Sequence, residues 1–379
     1  MKRGGSRLAF FEAIATLTGT IIGAGVLGIP YVAAKSGFLT AALDLFILTA
    51  AVVILYLYVG EVVLRTKKQH QLTGYAEKYL GKWGKRLFTL TMIFGIYGAL
   101  IAYLIGEGGA LNAIFNGVFS NLTFSLIFFG IGASIIFIGL RAIKESELLM
   151  SNIVIGIIIL ICILAFSSVN FGNLIKFELT EIFFPYGVIL FALAGAVAIP
   201  EMKEELKDLR QLKRAIIIGA MIPPALYLFF ALVVVGVTGI NTTEVASIGL
   251  GNLMGEYMVI FGNLFAIFAM ATSFLTLGLA LKEMYNYDYG VNKHLAWLLT
   301  IVPPLVIFLL FKKGFVEVIG VTGGIAMGLE GILIALMFQK AKKMGDRKPE
   351  YTITGNRFIS YGLIVVFALG IVYTIWSLV

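Results

Sequence analysis

The residues from Thr16 to Tyr31 could do chemistry, because they place four glycines, three threonines and a proline inside an apolar stretch of membrane length. Glycine weakens a helix interior by about 1 kcal/mol relative to alanine, and proline removes a backbone donor. Gly23-Ala24-Gly25 followed by Pro30 therefore predicts a helix that opens within the membrane. Open backbone is tolerated there only in a protein-lined cavity, where its N–H and C=O groups can bind a charged solute.

A second stretch repeats this pattern. Gly195-Ala-Val-Ala-Ile-Pro200 parallels Gly25-Val-Leu-Gly-Ile-Pro30, with glycine five residues before proline in both. Such glycine spacing also serves close packing of membrane helices, and for a single instance that is the better interpretation. Two matched breaks instead indicate an inverted repeat, whose paired broken helices face each other at a substrate site near the middle of the membrane.

The composition identifies the class of protein that holds these breaks. Of the 379 residues, 60% are hydrophobic and only 13% are charged, which predicts an all-α polytopic membrane protein. Eleven apolar runs are long enough to span a bilayer, and they lie near 8–34, 38–64, 86–117, 122–140, 145–167, 182–201, 214–239, 256–281, 294–311, 314–338 and 357–378. Spans 1 and 6 are the broken helices. Spans 1–5 (1–167) and 6–10 (168–338) form the repeat of one structural domain, followed by a cytoplasmic loop and span 11 (339–379).

The distribution of positive charge predicts the orientation. Alternate connections, beginning with the N-terminus, hold 25 of the 29 Lys and Arg residues. Because positive residues collect on the cytoplasmic side, the N-terminus is predicted inside and the C-terminus outside. The net charge of +8 is therefore explained by membrane topology, and no nucleic acid is expected as a partner. The expected partners are a small-molecule substrate and the lipid bilayer.

Two motifs resemble a known group of proteins. Gly19-Thr-Ile-Ile-Gly-Ala-Gly-Val-Leu-Gly-Ile-Pro-Tyr31 resembles the first-span signature of the amino acid/auxin permeases and of the bacterial hydroxy and aromatic amino acid permeases. Ala271-Thr-Ser-Phe-Leu275 in span 8 resembles the aromatic permeases in particular. Both families belong to the amino acid/polyamine/organocation superfamily, so the resemblance implies the leucine transporter fold, a 5+5 inverted repeat plus one extra helix here.

The resemblance also implies a substrate site at the two breaks. The amides of Gly23, Ala24 and Gly25 would bind the substrate carboxylate, in agreement with the positive end of a half-helix dipole there. The substrate ammonium would meet the carbonyl oxygens of Ile21, Phe191 and Ala192. The substrate side chain would lie against Tyr103, Ala194 and Gly195. Because none of these residues is charged, the sequence favours an amino acid with a neutral side chain.

The coupling ion is predicted from span 8. Ala269, Thr272 and Ser273 have the spacing by which the fold builds a sodium site, and the span 1 carbonyls of Gly19 and Ile22 would complete it. In the alternative interpretation, the two hydroxyls only bond back to their own helix. Glu107 in span 3 is the candidate for proton coupling, because an intramembrane carboxylate is a functional candidate by default. Glu330 in span 10 is a similar carboxylate for which a structural role is favoured.

No enzyme is expected. The two histidines, His70 and His294, lie in predicted cytoplasmic loops, so they cannot build an intramembrane catalytic dyad or a zinc site. No phosphate-binding Gly-x-x-x-x-Gly-Lys motif occurs, so transport must use an ion gradient. The sequence thus predicts a secondary transporter of neutral amino acids, aromatic or small, with sodium favoured and no cofactor beyond the coupling ion. A proton-coupled symporter or an amino acid sensor of the same fold is the alternative.

Overall fold

The computed structural model describes residues 2–139, 142–354 and 357–378, and their regular structure is helical. The α-helices are α1 (Lys2–Ile21), α2 (Ile29–Ser36), α3 (Phe38–Leu64), α4 (Leu72–Ile114), α5 (Asn121–Ile138), α6 (Ala142–Ala165), α7 (Tyr186–Ala192), α8 (Ile199–Glu205), α9 (Leu212–Thr238), α10 (Ala246–Met254), α11 (Glu256–Glu283), α12 (Lys293–Leu310), α13 (Phe315–Thr322), α14 (Gly328–Met344) and α15 (Arg357–Trp376). Short 3-10 or π-helical turns join several of them.

The predicted spans coincide with apolar helices. Within the described ranges, nine helical segments are long and apolar enough to cross a membrane, and the bent segment formed by α1 and α2 is a tenth. The fifth predicted span coincides with α6, Ala142–Ala165. The fold class is therefore confirmed, while the count of eleven spans stays a prediction.

Both predicted breaks are present. Helix α1 ends at Ile21, a 3-10 turn covers Ala24–Leu27, and the two arms of the span differ in direction by 51°. In the second break, a 3-10 turn at Ala196–Ala198 separates α7 from α8. Pro30 and Pro200 lie in the first turns of α2 and α8. A proline costs no hydrogen bond there, since the first N–H groups of a helix have no partner within it.

The broken helices lie at the centre of the bundle. In the second broken span, Tyr186–Glu205, 72% of the most apolar window is buried inside the protein, against 22% for α12. Helix α1 packs against α8 and α9, α3 against α9, and α4 against α11. The helices predicted for the first repeat thus pack against those of the second, and the two breaks meet between them.

Candidate substrate site at the two helix breaks

The two breaks are in direct contact. A Cβ atom added to Gly25 would lie 2.7 Å from the Cα atom of Ala192 and 2.9 Å from its Cβ atom. Real Cβ atoms do not approach backbone that closely, so any side chain at position 25 would push the breaks apart. Glycine at this position is therefore required by the close approach of the two main chains.

The first break presents free amides. Gly23 is extended, with φ of −133° and ψ of −160°, and the 3-10 turn begins with a 3.4 Å bond from the Val26 amide to the Gly23 carbonyl. The amides of Ala24 and Gly25 precede this first bond, so the turn offers them no carbonyl. They lie at the N-terminal end of the second half of the broken helix, where the helix dipole favours an anion.

Carbonyl oxygens from both breaks converge on one hydroxyl group. Tyr227 Oη lies 2.8 Å from the Ile21 carbonyl oxygen and 3.1 Å from that of Ala192. Tyr227 belongs to α9 and is fully buried. A hydroxyl carries one proton, so it cannot fully satisfy two acceptors, whereas an ammonium group carries three donors. The structure therefore brings Ile21 and Ala192 together as acceptors, as the ammonium site requires.

The carbonyl of Phe191 has a different environment. It accepts a 3.3 Å hydrogen bond from the Ala194 amide, within the last turn of α7. The carbonyl of Leu193, within the break, accepts a hydrogen bond from the hydroxyl of Tyr56 on α3. Both tyrosines that reach the breaks, Tyr56 and Tyr227, were missed by the sequence analysis. The available signal was a phenol inside an apolar span, which is weak because tyrosine also packs as a hydrophobic residue.

Of the three residues expected around the substrate side chain, Ala194 and Gly195 lie at the second break, whereas Tyr103 lies on α4. An added Cβ at Gly195 would lie 3.0 Å from Tyr56 Oη and 2.5 Å from Ile21 Cγ1. Ala194 and Gly195 also line a small cavity, of about 30 Å³, together with Tyr56 and Glu330. Glu330 thus lies beside the second break, where the sequence analysis expected only uncharged residues.

Tyr103 is the third residue expected around the substrate side chain. Its side chain is buried, and its hydroxyl lies near Ser273 of α11. Ser273 in turn faces the first break, because an added Cβ at Gly23 would lie 3.2 Å from Ser273 Oγ. Tyr103 is therefore connected through Ser273 to the break that carries the free amides.

The α11 residues of the expected sodium site lie close to one another. Thr272 Oγ1 lies 3.2 Å from the Ala269 carbonyl oxygen and donates a 2.8 Å hydrogen bond to the Phe268 carbonyl. This bond uses the proton of the hydroxyl and leaves its lone pairs free to bind a cation. On the other side, Gly19 lies in the last turn of α1, and Ile22 begins the break with a 2.9 Å bond from its amide to Thr18.

Glu107 lies apart from the breaks. Its side chain is fully buried, and neither carboxylate oxygen has a hydrogen-bond partner among the residues the structure describes. It borders a cavity of about 370 Å³ whose other walls are apolar residues of α4, α5 and α11, among them Phe128 and Ala271. The structure therefore does not place Glu107 with the amides and carbonyls of the candidate substrate site.

Comparison with known families identifies the chain. The tryptophan/tyrosine permease family matches residues 7–377. The chain belongs to the tryptophan/tyrosine permease family. Of the two resemblances that the motifs suggested, the one to the aromatic permeases is thus confirmed, and the one to the amino acid/auxin permeases is not. Family membership makes the chain an integral, multi-pass membrane permease, and not an enzyme.

Characterised relatives of this permease are similar along nearly their whole length. Glutamine transporter 2 of Aliivibrio fischeri is 26% identical, and the match covers 95% of this chain and 97% of the relative. The tyrosine-specific transport system 1 of Haemophilus influenzae is 25% identical, covering 94% of each chain. The tryptophan-specific transport protein of the same organism is 25% identical, covering 93% of this chain and 92% of its own.

A solved structure establishes the fold of the permease. The crystal structure of MhsT in complex with L-phenylalanine superimposes with a TM-score of 0.66, covering 98% of both chains at 16% sequence identity. Identity at this level supports a shared fold only. The permease therefore has the leucine transporter fold, the inverted-repeat architecture that the matched breaks predicted.

Proposed function

We propose that this permease is a secondary transporter that binds a neutral amino acid between its two helix breaks and releases it by alternating access. The observation that carries the proposal is the convergence of the Ile21 and Ala192 carbonyls on Tyr227, next to the free amides of Ala24 and Gly25. Acceptors for an ammonium group and donors for a carboxylate then lie close together on the open backbone of the two breaks. This is the arrangement by which broken-helix transporters bind zwitterions.

The substrate is proposed to have an uncharged side chain, with aromatic amino acids first. The relatives named above are described as transporters of glutamine, tyrosine and tryptophan, which all have neutral side chains. Tyr103 and Ser273 offer a hydroxyl pair beside the first break, suited to a side chain with a polar edge. A charged side chain would need a buried partner of opposite charge, since an unpaired buried charge costs several kcal/mol.

Sodium is proposed as the coupling ion. Supporting this are the 3.2 Å separation of the Ala269 carbonyl oxygen and Thr272 Oγ1, and the position of Ser273 next to Gly23. Oxygen ligands from one helix and from the open carbonyls of another suit a hard monovalent cation in this fold. Proton coupling through Glu107 is the weaker candidate, because its carboxylate lies apart from both breaks.

Uptake into proteoliposomes tests the function. Purified permease is reconstituted into liposomes, and radiolabelled tryptophan, tyrosine or glutamine is added outside. Each unlabelled amino acid is then tested as a competitor of uptake. Sodium and pH gradients are imposed separately. We expect saturable uptake of a neutral amino acid that requires an inward sodium gradient. No uptake of any neutral amino acid under either gradient would contradict the proposed function, and uptake that persists in choline would contradict the coupling ion.

A further inference from the structure

A second intramembrane carboxylate, Glu330 of α14, lies beside the second break. It lines the 30 Å³ cavity together with Tyr56, Leu193, Ala194 and Gly195. A cavity needs roughly 10–15 Å³ of this volume to hold one water molecule, so there is room for about two. The side chain of Glu330 is partly exposed, whereas that of Glu107 is fully buried.

A charge on Glu330 would have no ion-pair partner among the residues that the structure describes. Within the part of the chain that the structure describes, no Lys or Arg lies within ion-pair distance of its carboxylate. The remaining walls of the cavity are apolar, with Met327, Ile334 and Phe367 among them. An ionised carboxylate is strongly disfavoured in such a site unless water or a cation reaches it.

The groups that share the cavity with Glu330 are one phenol and apolar side chains. The phenol is that of Tyr56 on α3. Phenols stay neutral at physiological pH. On α4, Gly95 packs against Ala326 and Met327 in the π-helical turn before α14.

The charged residues on these elements lie further away along the helices. Asp44 precedes Tyr56 on α3 by twelve residues, about 18 Å of helix, and Lys342 follows Glu330 on α14 by the same number. Glu61, one to two turns beyond Tyr56, is already paired with Arg65 at 2.8 Å. No fixed charge is therefore positioned to compensate Glu330.

Tyr56 connects this cavity to the break. Its hydroxyl donates a hydrogen bond to the Leu193 carbonyl, and it lies 3.0 Å from where a Cβ of Gly195 would be. Glu330 thus shares a water-sized space with a hydroxyl that holds the open backbone. In addition, α14 begins directly after a π-helical turn at Gly323–Met327, a local distortion that is frequent at functional sites.

We propose that Glu330 is a proton-binding site of the transport cycle. Its carboxyl group is protonated when the helices close over the second break, and it ionises when the cavity opens and fills with water. The proton comes from the surrounding solution and returns to it. This inference rests on the proposed transport function and goes beyond it, because it places a proton-binding carboxyl group next to the substrate site. As the pH rises, the helices should close over the second break more slowly.

The test measures the initial rate of uptake at a fixed sodium gradient and saturating substrate, over about pH 5 to 9, which brackets the titration of carboxyl groups shifted upward by burial. For the wild type we expect a rate that falls with rising pH, by up to about tenfold per pH unit once the ionised form dominates. Glu330→Gln mimics the protonated group, so it should transport at a rate that does not vary with pH. Glu330→Asp keeps a carboxyl group and should keep the pH dependence.

Asp44→Asn is the matched control, since it removes another buried carboxylate, about 18 Å along α3 from Tyr56 and away from both breaks. It should leave the wild-type pH profile unchanged. A Glu330→Gln variant with the wild-type profile, an Asp44→Asn variant with a flat one, or a wild type without pH dependence would each overturn the assignment.

Infrared spectroscopy of the purified protein gives a readout that does not depend on transport. The wild-type spectrum minus that of Glu330→Gln should contain a protonated carboxyl band at neutral pH, and the band should disappear in alkali. If wild-type protein shows no uptake but the band is present, the transport proposal fails and the proton site stands. If the band is absent at neutral pH in folded protein, the proton site fails even where uptake is normal.

Discussion

The hydroxyl oxygen of Tyr227 lies 2.8 Å from the carbonyl oxygen of Ile21, and these two residues are 206 positions apart in the chain. The same hydroxyl reaches the Ala192 carbonyl at 3.1 Å. One side chain of α9 therefore holds the inner end of the first break against the second. This contact defines the acceptor side of the proposed substrate site.

Tyr227→Phe should weaken both the protein and its affinity for substrate. Leaving two buried carbonyls without a donor costs about 1–3 kcal/mol of stability, and their loss of orientation should reduce affinity by about tenfold. Thermal unfolding and direct binding of the radiolabelled amino acid measure the two effects. Tyr79→Phe is the control, because Tyr79 is also buried and its hydroxyl lies 2.7 Å from Thr66 Oγ1, away from the breaks. It should lower stability only, and an equal loss of affinity in both variants would contradict the role of Tyr227.

Gly25→Ala should abolish transport. The new methyl group would lie 2.7 Å from the Ala192 Cα atom, and because main chain cannot rotate away, the two breaks must separate. Overpacking of this kind costs about 1–3 kcal/mol, so folded protein should still be recovered for binding measurements. Gly130→Ala is the matched control, since nothing lies within 4 Å of its Cβ position. Wild-type affinity in Gly25→Ala would place the carboxylate elsewhere.

Replacing both hydroxyls of the proposed sodium site, as Thr272→Ala with Ser273→Ala, should remove the sodium dependence of uptake. The substitution deletes two oxygen ligands while leaving the helix backbone and the Ala269 carbonyl in place. Sodium-dependent binding of substrate to purified protein is the measurement. Sodium stimulation that survives in the double variant would show that the ion binds at another position or that protons drive transport.

The orientation can be tested with single cysteines. In a background in which the buried Cys162 is replaced, Lys176→Cys and Lys207→Cys each place a thiol at an exposed position. The excess of Lys and Arg on one side predicts that position 176 is outside and 207 is cytoplasmic. An impermeant thiol reagent added to intact cells should therefore label position 176 alone. Labelling at position 207 instead would reverse the predicted topology.

The fold was largely predictable because its determinants are local in sequence. Gly23, Gly25 and Pro30, repeated as Gly195 and Pro200, mark the breaks through their own backbone properties, and long apolar runs mark the spans.

The side chains around the breaks were harder to predict, since they depend on helix rotation and on contacts distant in sequence. Tyr56 bonds to a carbonyl 137 residues away in the chain, and Tyr227 bonds to carbonyls 206 and 35 residues away. An isolated tyrosine in an apolar span does not reveal such contacts. From the sequence, Glu107 is the candidate for proton coupling and a structural role is favoured for Glu330. Only the packing of α4 and α14 shows that Glu330 is the one that lies beside a break.

The most direct test of the central claim is an experimental structure of the purified permease with a bound aromatic amino acid and sodium. The account predicts density for the substrate between the breaks, with its carboxylate at the amides of Ala24 and Gly25 and its ammonium group at the carbonyls of Ile21 and Ala192. Substrate density in the apolar cavity beside Glu107, with Tyr227 still bonded to both carbonyls and the breaks empty, would contradict it.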